Sequence, residues 1–561
     1  MTPIDPTNAT HQVLNQPPPL SDYNVFESDT VLVESVQREG AEWARDWISR
    51  VGGTAGSSQA IRQGFLANEN PPVLETHDRF GHRTETVEYH PAYHELLGTA
   101  IREGLHCFPW TANREGAHAA RAAAFICFSQ AEAGVGCPTS MTYSVIPALR
   151  NQPELAEIWE PRLTSAEYDA SDREASLKSG ALAGMGMTEK QGGSDVRANT
   201  TTAAPTNGGG PGAEYALTGH KWFMSAPMCD AFLVLAQAPG GISCFLFPRR
   251  TPDGELNSFR IQRLKDKLGN RSNASSEVEF TDSSAWLVGE EGDGVRTIIE
   301  MVNHTRLDCV LGGASGMRLG VAQAIHHAHN RNAFGKQLAS HPLMLNVLAD
   351  LAIESEAATV AALRLARSYD EASASGDEAE RARLFRRIAN GTLKYWICKR
   401  APAHAAEALE CLGGNGYVEE SGMPRLYRES PLNSIWEGSG NVQCLDVMRA
   451  MAKSPESIEV LMAEIGEAKG SNDDFDRYVD RLQDSLADPD RLEERARRTV
   501  QSLALALQAS LLIMHSPAYV SDAFCASRLA DGQWGRAFGT LPPDVDFEGI
   551  VDRHSVAPSL T

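Results

Sequence analysis

An α+β fold is predicted for this 561-residue chain, with a helical layer, a β layer, a second helical layer and a further helical unit in that order. Three observations carry the expectation. Long stretches such as REGAHAARAAAFICFSQAEAG place apolar residues at helical spacing with few breakers. Between about residues 179 and 290 they give way to short runs of branched and aromatic residues separated by Gly, Pro and Asp. Beyond that segment the helical pattern returns at length, and no internal repeat interrupts the order.

The elements follow in turn. Residues 1–178 form an arm and a helical domain: proline stiffens NQPPPLSDYNVF into an extended arm, and LVESVQREGAEWARDWISRV opens the helices. Residues 179–290 form a central antiparallel β-domain with strands in EYALTGHKWFMSA, AFLVLAQA, GISCFLFPRR and SSEVEFTDS, and TNGGGPGAE is a flexible loop. Residues 291–453 carry three long helical segments, the first ending in HHAHN. Residues 454–561 form an extra helical unit behind a loose acidic join at KGSNDDFD.

Composition narrows the function classes. A net charge of −22 sets the molecule as a whole against phosphate backbones and acidic membranes. Ten cysteines without a CxxC pair read as free thiols of a reducing cytoplasm rather than a zinc site. The start, MTPIDPTNAT, lacks the basic and apolar pattern of a secretory signal. The longest apolar run, LALALQASLLIM, is too short to span a bilayer and reads as a buried helix. A soluble cytoplasmic protein without membrane or metal is the expectation. The HHAH run (His326 to His329) has no acid or thiol spaced to complete a metal site and reads as helix surface.

Three motifs carry chemistry. GMTEKQGGSDVRA (Gly186 to Ala198) and ECLGGNGYVEESGMPRLYRE (Glu410 to Glu429) resemble the two signatures of the acyl-CoA dehydrogenase family, and RNAFGKQL (Arg331 to Leu338) its flavin-binding segment. Taken alone, the first motif reads equally well as a glycine turn between strands. Three in the right order, on the expected elements, identify the chain as a member. NQPPPLSDYN, RLKDKLGNRSNASSEVEF, RLYRESPLNSIWEGSGN and the extra C-terminal unit resemble most closely the AidB branch, the alkylation-response flavoproteins.

The resemblance implies an N-terminal helical domain, a β-domain and a four-helix bundle holding FAD, with a small, possibly acyl-CoA, substrate. Met185 and Met187 would line the isoalloxazine, Thr188 bond its polar edge, Gly193 admit close backbone approach, and Ser194 reach a phosphate. In KWFMS, Phe223 would pack on the ring and Ser225 bond near its N5, with Met224 between them. Period-two alternation puts Phe223 and Ser225 on one face and turns Trp222 towards the core. Arg331, with Phe334, would grip the pyrophosphate of a neighbouring subunit's flavin, and Gly413 and Gly414 would admit its adenosine, which implies a homotetramer built as a dimer of dimers. Pro342 stands where many relatives have glutamine. In IWEGSGN, Ile435, Ser439 and Asn441 would meet the cofactor, and Glu437 is the candidate base that removes an α-proton while hydride leaves for the flavin. Its competing reading is a helix-start carboxylate. The alternative base position of some relatives is Thr305 here.

Two other functions stay open at this point. The AidB branch is associated with double-stranded DNA and protection from alkylation, but the C-terminal unit here is more acidic than basic, which weakens that implication. Arg491, Arg495 and Arg498 fall on one helix face; a solvated helix paired to Glu493 and Glu494 is the preferred reading. A flavin-dependent monooxygenase or oxidase on the same scaffold is the third.

Overall fold

The computed structural model describes residues 13–488, 490–532 and 537–556; MTPIDPTNAT lies outside them. The arm runs without regular structure to Asp29, which caps the first helix, Thr30–Arg38, by accepting from Leu32 N. Tyr23, Val25 and Phe26 of the arm are buried, so it is anchored at its inner end. At the centre of the N-terminal domain lie the helices Ala117–Ser129 and Gly136–Leu149, buried on nearly every face, with the charge of Arg121 met by Asp308.

One element in this region departs from the helical expectation. Val73–His77 and Arg83–Glu88 form an antiparallel hairpin. Its strands are short and polar on one side, so no long apolar run announces them. The turn is organised by Asp78, whose carboxylate accepts from Phe80 N at 2.8 Å and His82 N at 2.9 Å.

The β-domain is a seven-stranded sheet in which Ala231–Ala238 pairs with Gly241–Pro248 as well as with Thr202–Pro205, so the pairings close on themselves. It is mixed rather than wholly antiparallel: Ala183–Gly186 runs parallel to Ala231–Ala238, placing Met185 opposite Leu233. In Glu214–Ser225 the register against Ser275–Leu287 shifts between Lys221 and Met224, which face Val278 and Ser276. That extra residue is a bulge, and it turns the strand end. Phe223 emerges 48% exposed. Trp222 is not in the core as the alternation implied; the bulge leaves its ring half-buried with Lys265 Nζ 3.3 Å from its centroid.

The bundle consists of Gly294–Asn330, Pro342–Ala372, Asp377–Glu410 and Gly440–Lys453. The C-terminal unit is not loosely joined. Asn472 caps Asp473–Ala487 by accepting from Asp474 N and Phe475 N, so the acidic stretch begins a helix, with its carboxylates at the favourable end. LALALQASLLIM lies in Leu492–His515, whose Leu503, Leu507 and Leu512 are fully buried in a core shared with the bundle and the N-terminal helices. At about 1.5–3 kcal/mol for each such side chain, this face fastens the unit to the rest. A second core fills the β-domain and reaches Ile298, Met301 and Val302 of the long helix. All ten cysteines are free and buried.

Candidate active site

A cavity of about 970 Å³ opens between the β-domain and the bundle. The β side contributes Met185, Met187, Thr188, Gly193 and Ser194, followed by Phe223 and Ser225 from the bulged strand. The helical side contributes Ile435, Glu437 and Ser439. Thioethers and an aromatic ring make one wall apolar, and the hydroxyls of Thr188, Ser194 and Ser225 line the same space. This donor set fits a flat ring with a polar edge.

The glycine-rich loop is held from behind by a pair that the sequence reading passed over. Glu189 and Lys221 are both solvent-excluded, with Lys221 Nζ 2.7 Å from Glu189 Oε1 and 2.7 Å from Leu235 O. Glu189 also accepts from Thr200 N at 2.6 Å and Thr201 N at 3.2 Å, so one carboxylate ties two segments of the loop to the sheet. Gly193 packs against Thr188: a Cβ there would stand 2.5 Å from Thr188 Oγ1. Met224 is the residue that does not belong with its neighbours. Its side chain is fully buried in the β core and does not line the cavity, because alternation turns it to the opposite face from Phe223 and Ser225.

Glu437 is not a helix cap. Its Oε2 accepts from Thr305 Oγ1 at 2.6 Å, across 132 residues of sequence. Its backbone sits at φ 58, left-handed for a residue with a Cβ. Lys394, buried in the middle of a helix, holds that conformation: Nζ donates to Trp436 O at 2.6 Å and Gly438 O at 2.5 Å, one on each side of Glu437. Arg306 Nε and Gln443 Nε2 donate to Glu437 O at 3.0 and 2.9 Å. Burial pushes the Glu437 carboxyl above the usual carboxylate range; the Thr305 hydrogen bond and the charges of Lys394 and Arg306 pull the other way. Thr305 entered the sequence reading only as an unavailable base position, and Lys394 had no signal beyond being a lysine in the otherwise apolar stretch GTLKYWIC. Another carboxyl lining the cavity, Glu429, is pushed up to about 7 by burial and then by the charge of Glu132.

The remaining expected residues lie elsewhere. Arg331 donates to Asn15 O of the N-terminal arm, and Asn15 also exchanges bonds with Asn332 at 2.7 and 2.8 Å. Phe334 is 98% exposed, and a Cβ on Gly413 or Gly414 would meet nothing within 4 Å, so all three are open to the outside. Asn441 accepts from Arg497 Nε of the C-terminal unit at 2.8 Å. Arg491 pairs with Glu494, and Arg495 with Asp488. His326 bonds Pro18 O at 2.8 Å, and no group of three His, Cys, Asp or Glu among the described residues is placed for a metal. No helix among the described residues is long and apolar enough to cross a membrane.

Comparison with known proteins agrees with this fold. Three family models match in succession: the adaptive response protein AidB N-terminal domain over residues 15–170, the acyl-CoA dehydrogenase middle domain over 184–283, and the acyl-CoA dehydrogenase C-terminal domain over 292–452. The chain is 46% identical over 518 residues to the putative acyl-CoA dehydrogenase AidB of Escherichia coli, covering 92% of this chain and 94% of that one. Among solved structures, Caenorhabditis elegans ACDH-11 in complex with C11-CoA superposes with a TM-score of 0.84 at 25% identity, over 94% of this chain and 95% of its own. The apo form of Bd2924 gives 0.81 at 27%, over 90% and 99%. Signatures, cavity and relatives converge: the chain belongs to the AidB-like acyl-CoA dehydrogenase family and is an FAD-dependent flavoprotein, an acyl-CoA dehydrogenase-like oxidoreductase.

Proposed function

We propose that this protein oxidises an acyl-CoA thioester, with Glu437 as the base that takes the α-proton. The observation that carries the reading is a carboxylate that shares a cavity with Met185, Met187 and Phe223, is raised by burial and accepts from Thr305. Met185, Met187 and Phe223 would hold the ring, Thr188 and Ser225 its polar atoms, and Ser194 and Ser439 the chain beyond it. The flavin supplies a two-electron hydride acceptor. Thr305 aims the Glu437 carboxylate, Lys394 fixes its backbone, and the surrounding apolar wall keeps water from competing for the proton. ACDH-11, crystallised with C11-CoA, supports an acyl-CoA as the substrate class.

The test is anaerobic bleaching of the bound flavin by a panel of acyl-CoAs. Bleaching by at least one member, lost in Glu437→Gln with FAD still bound, is expected. No bleaching, together with oxygen uptake driven by reduced nicotinamide, would replace this reading by the oxidase one. The exposed Phe334, Gly413 and Gly414, with the half-buried Arg331, support an assembly in which a second copy's flavin meets this surface, and light scattering should give a homotetramer. Duplex binding draws no support from the C-terminal arginine face, where Arg491 and Arg495 are engaged with neighbouring acids.

A further inference from the structure

Lys267 has no part in the reaction above, yet it lines the same cavity, together with Ser225, Asn270 and Ser275. Its Nζ lies 2.6 Å from Asn273 O, 3.1 Å from Ser275 Oγ and 3.5 Å from Asn270 Oδ1. Ser275 Oγ is in turn 3.0 Å from Ser225 Oγ. An unbroken line of exchangeable hydrogens therefore runs from the Ser225 hydroxyl, which lines the cavity, to an amine inside the wall.

We propose that Ser225, Ser275 and Lys267 form a proton conduit serving the second half of the reaction, an inference that rests on the flavin lying against Ser225. The flavin would supply the hydride's two electrons one at a time to two molecules of a one-electron carrier, which leaves one proton for the protein to take up. Glu437 is not free to take it, because it already holds the substrate's α-proton. The conduit balances. The proton goes to the Ser225 oxygen while the Ser225 hydrogen passes to Ser275. The Ser275 hydrogen passes to the neutral amine of Lys267, which ends as an ammonium. Both hydroxyls regain their hydrogens, and rotation resets them.

Lys267 suits the terminal position. Burial pushes it down to about 8, so the amine that accepts the proton is accessible near neutrality. The charged groups facing it are Glu132, in the turn before the helix Gly136–Leu149, and Glu429 at the end of Met423–Glu429, whose carboxylates favour the ammonium once formed; the Cys137 thiol at the start of that helix is pushed up to about 11 by burial and stays neutral. Lys267 and Ser275 are positioning and relay residues, acting through Ser225.

The test uses the holoenzyme, photoreduced without oxygen and mixed with ferricenium, while flavin absorbance is followed from about pH 6 to about pH 10. The midpoint potential of the bound flavin is measured over the same range. In the wild type the potential should bend near 8, where Lys267 titrates. Lys267→Met should remove the bend and slow reoxidation about 100-fold. Ser275→Ala should keep the bend but slow reoxidation similarly, and Ser275→Thr should restore the rate. A flavin-loaded Ser275→Ala protein that reoxidises like the wild type, or a bend that survives in Lys267→Met, overturns the conduit alone. Wild-type protein that binds no FAD overturns the cofactor reading beneath it.

Discussion

Replacing Glu189 by Gln tests how the flavin-facing loop is held. The carboxylate is solvent-excluded and is held down to about 2 against its burial, by Lys221 and by bonds from Thr200 and Thr201, from an ordinary value of 4.5. At about 1.4 kcal/mol per pH unit, that shift corresponds to about 3 kcal/mol favouring the folded state at neutral pH. Because the folded value lies below the unfolded one, the contribution is present above 4.5 and is lost as pH falls towards 2. Lys221 shifts as far in the unfavourable direction, burial pushing its amine from 10.5 down to about 8, so the intact pair adds little net stability at neutral pH. Either single replacement therefore strands a partner and should cost about 3–5 kcal/mol, whereas Glu189→Gln with Lys221→Met should cost much less than the sum. A double-mutant cycle by equilibrium urea unfolding measures this directly. Additive costs, or a single-variant loss under about 1 kcal/mol, would refute the reasoning.

Lys394→Met should orphan the Trp436 carbonyl at about 1–3 kcal/mol and leave Gly438 O with the Gln443 Nε2 bond alone; acyl-CoA bleaching should disappear while the visible flavin spectrum persists. Thr305→Val removes a bond that stabilises the charged form of Glu437, so the acidic limb of the bleaching rate should move to higher pH, and Thr305→Ser should restore it. Glu429, raised from 4.5 to about 7, contributes fully below 4.5 and loses that contribution as pH rises through 7. Thermal unfolding of Glu429→Gln across that window should lack the wild type's decline of about 3 kcal/mol.

The layer order was legible because helical and strand periodicities differ and each persists over several elements here. The cavity-lining residues were legible through motifs, since Met185 to Ser194 and Ile435 to Ser439 are contiguous in sequence. What stayed hidden depends on distance or on a single extra residue. Thr305 and Glu437 meet over 132 positions, with no pattern linking them. Alternation through KWFMS located Phe223 and Ser225 but misplaced Trp222, because a bulge alters register without altering composition. The hairpin at Val73–Glu88 buries too little on one face to stand out, and the acids of SNDDFD read as a linker until Asn472 is seen capping them. The arm's hold on Arg331 joins residues 316 apart, beyond any local reading.

The left-handed backbone at Glu437 has a consequence for evolution. A side chain in that conformation costs about 1–2 kcal/mol relative to glycine, and Lys394, Arg306 and Gln443 are needed to keep it there. A descendant that traded the carboxylate for glycine would lose the proposed base while relaxing this bend. Drift towards sturdiness thus runs opposite to drift towards turnover, and a lineage that still carries glutamate at this bend keeps it against a standing structural disadvantage.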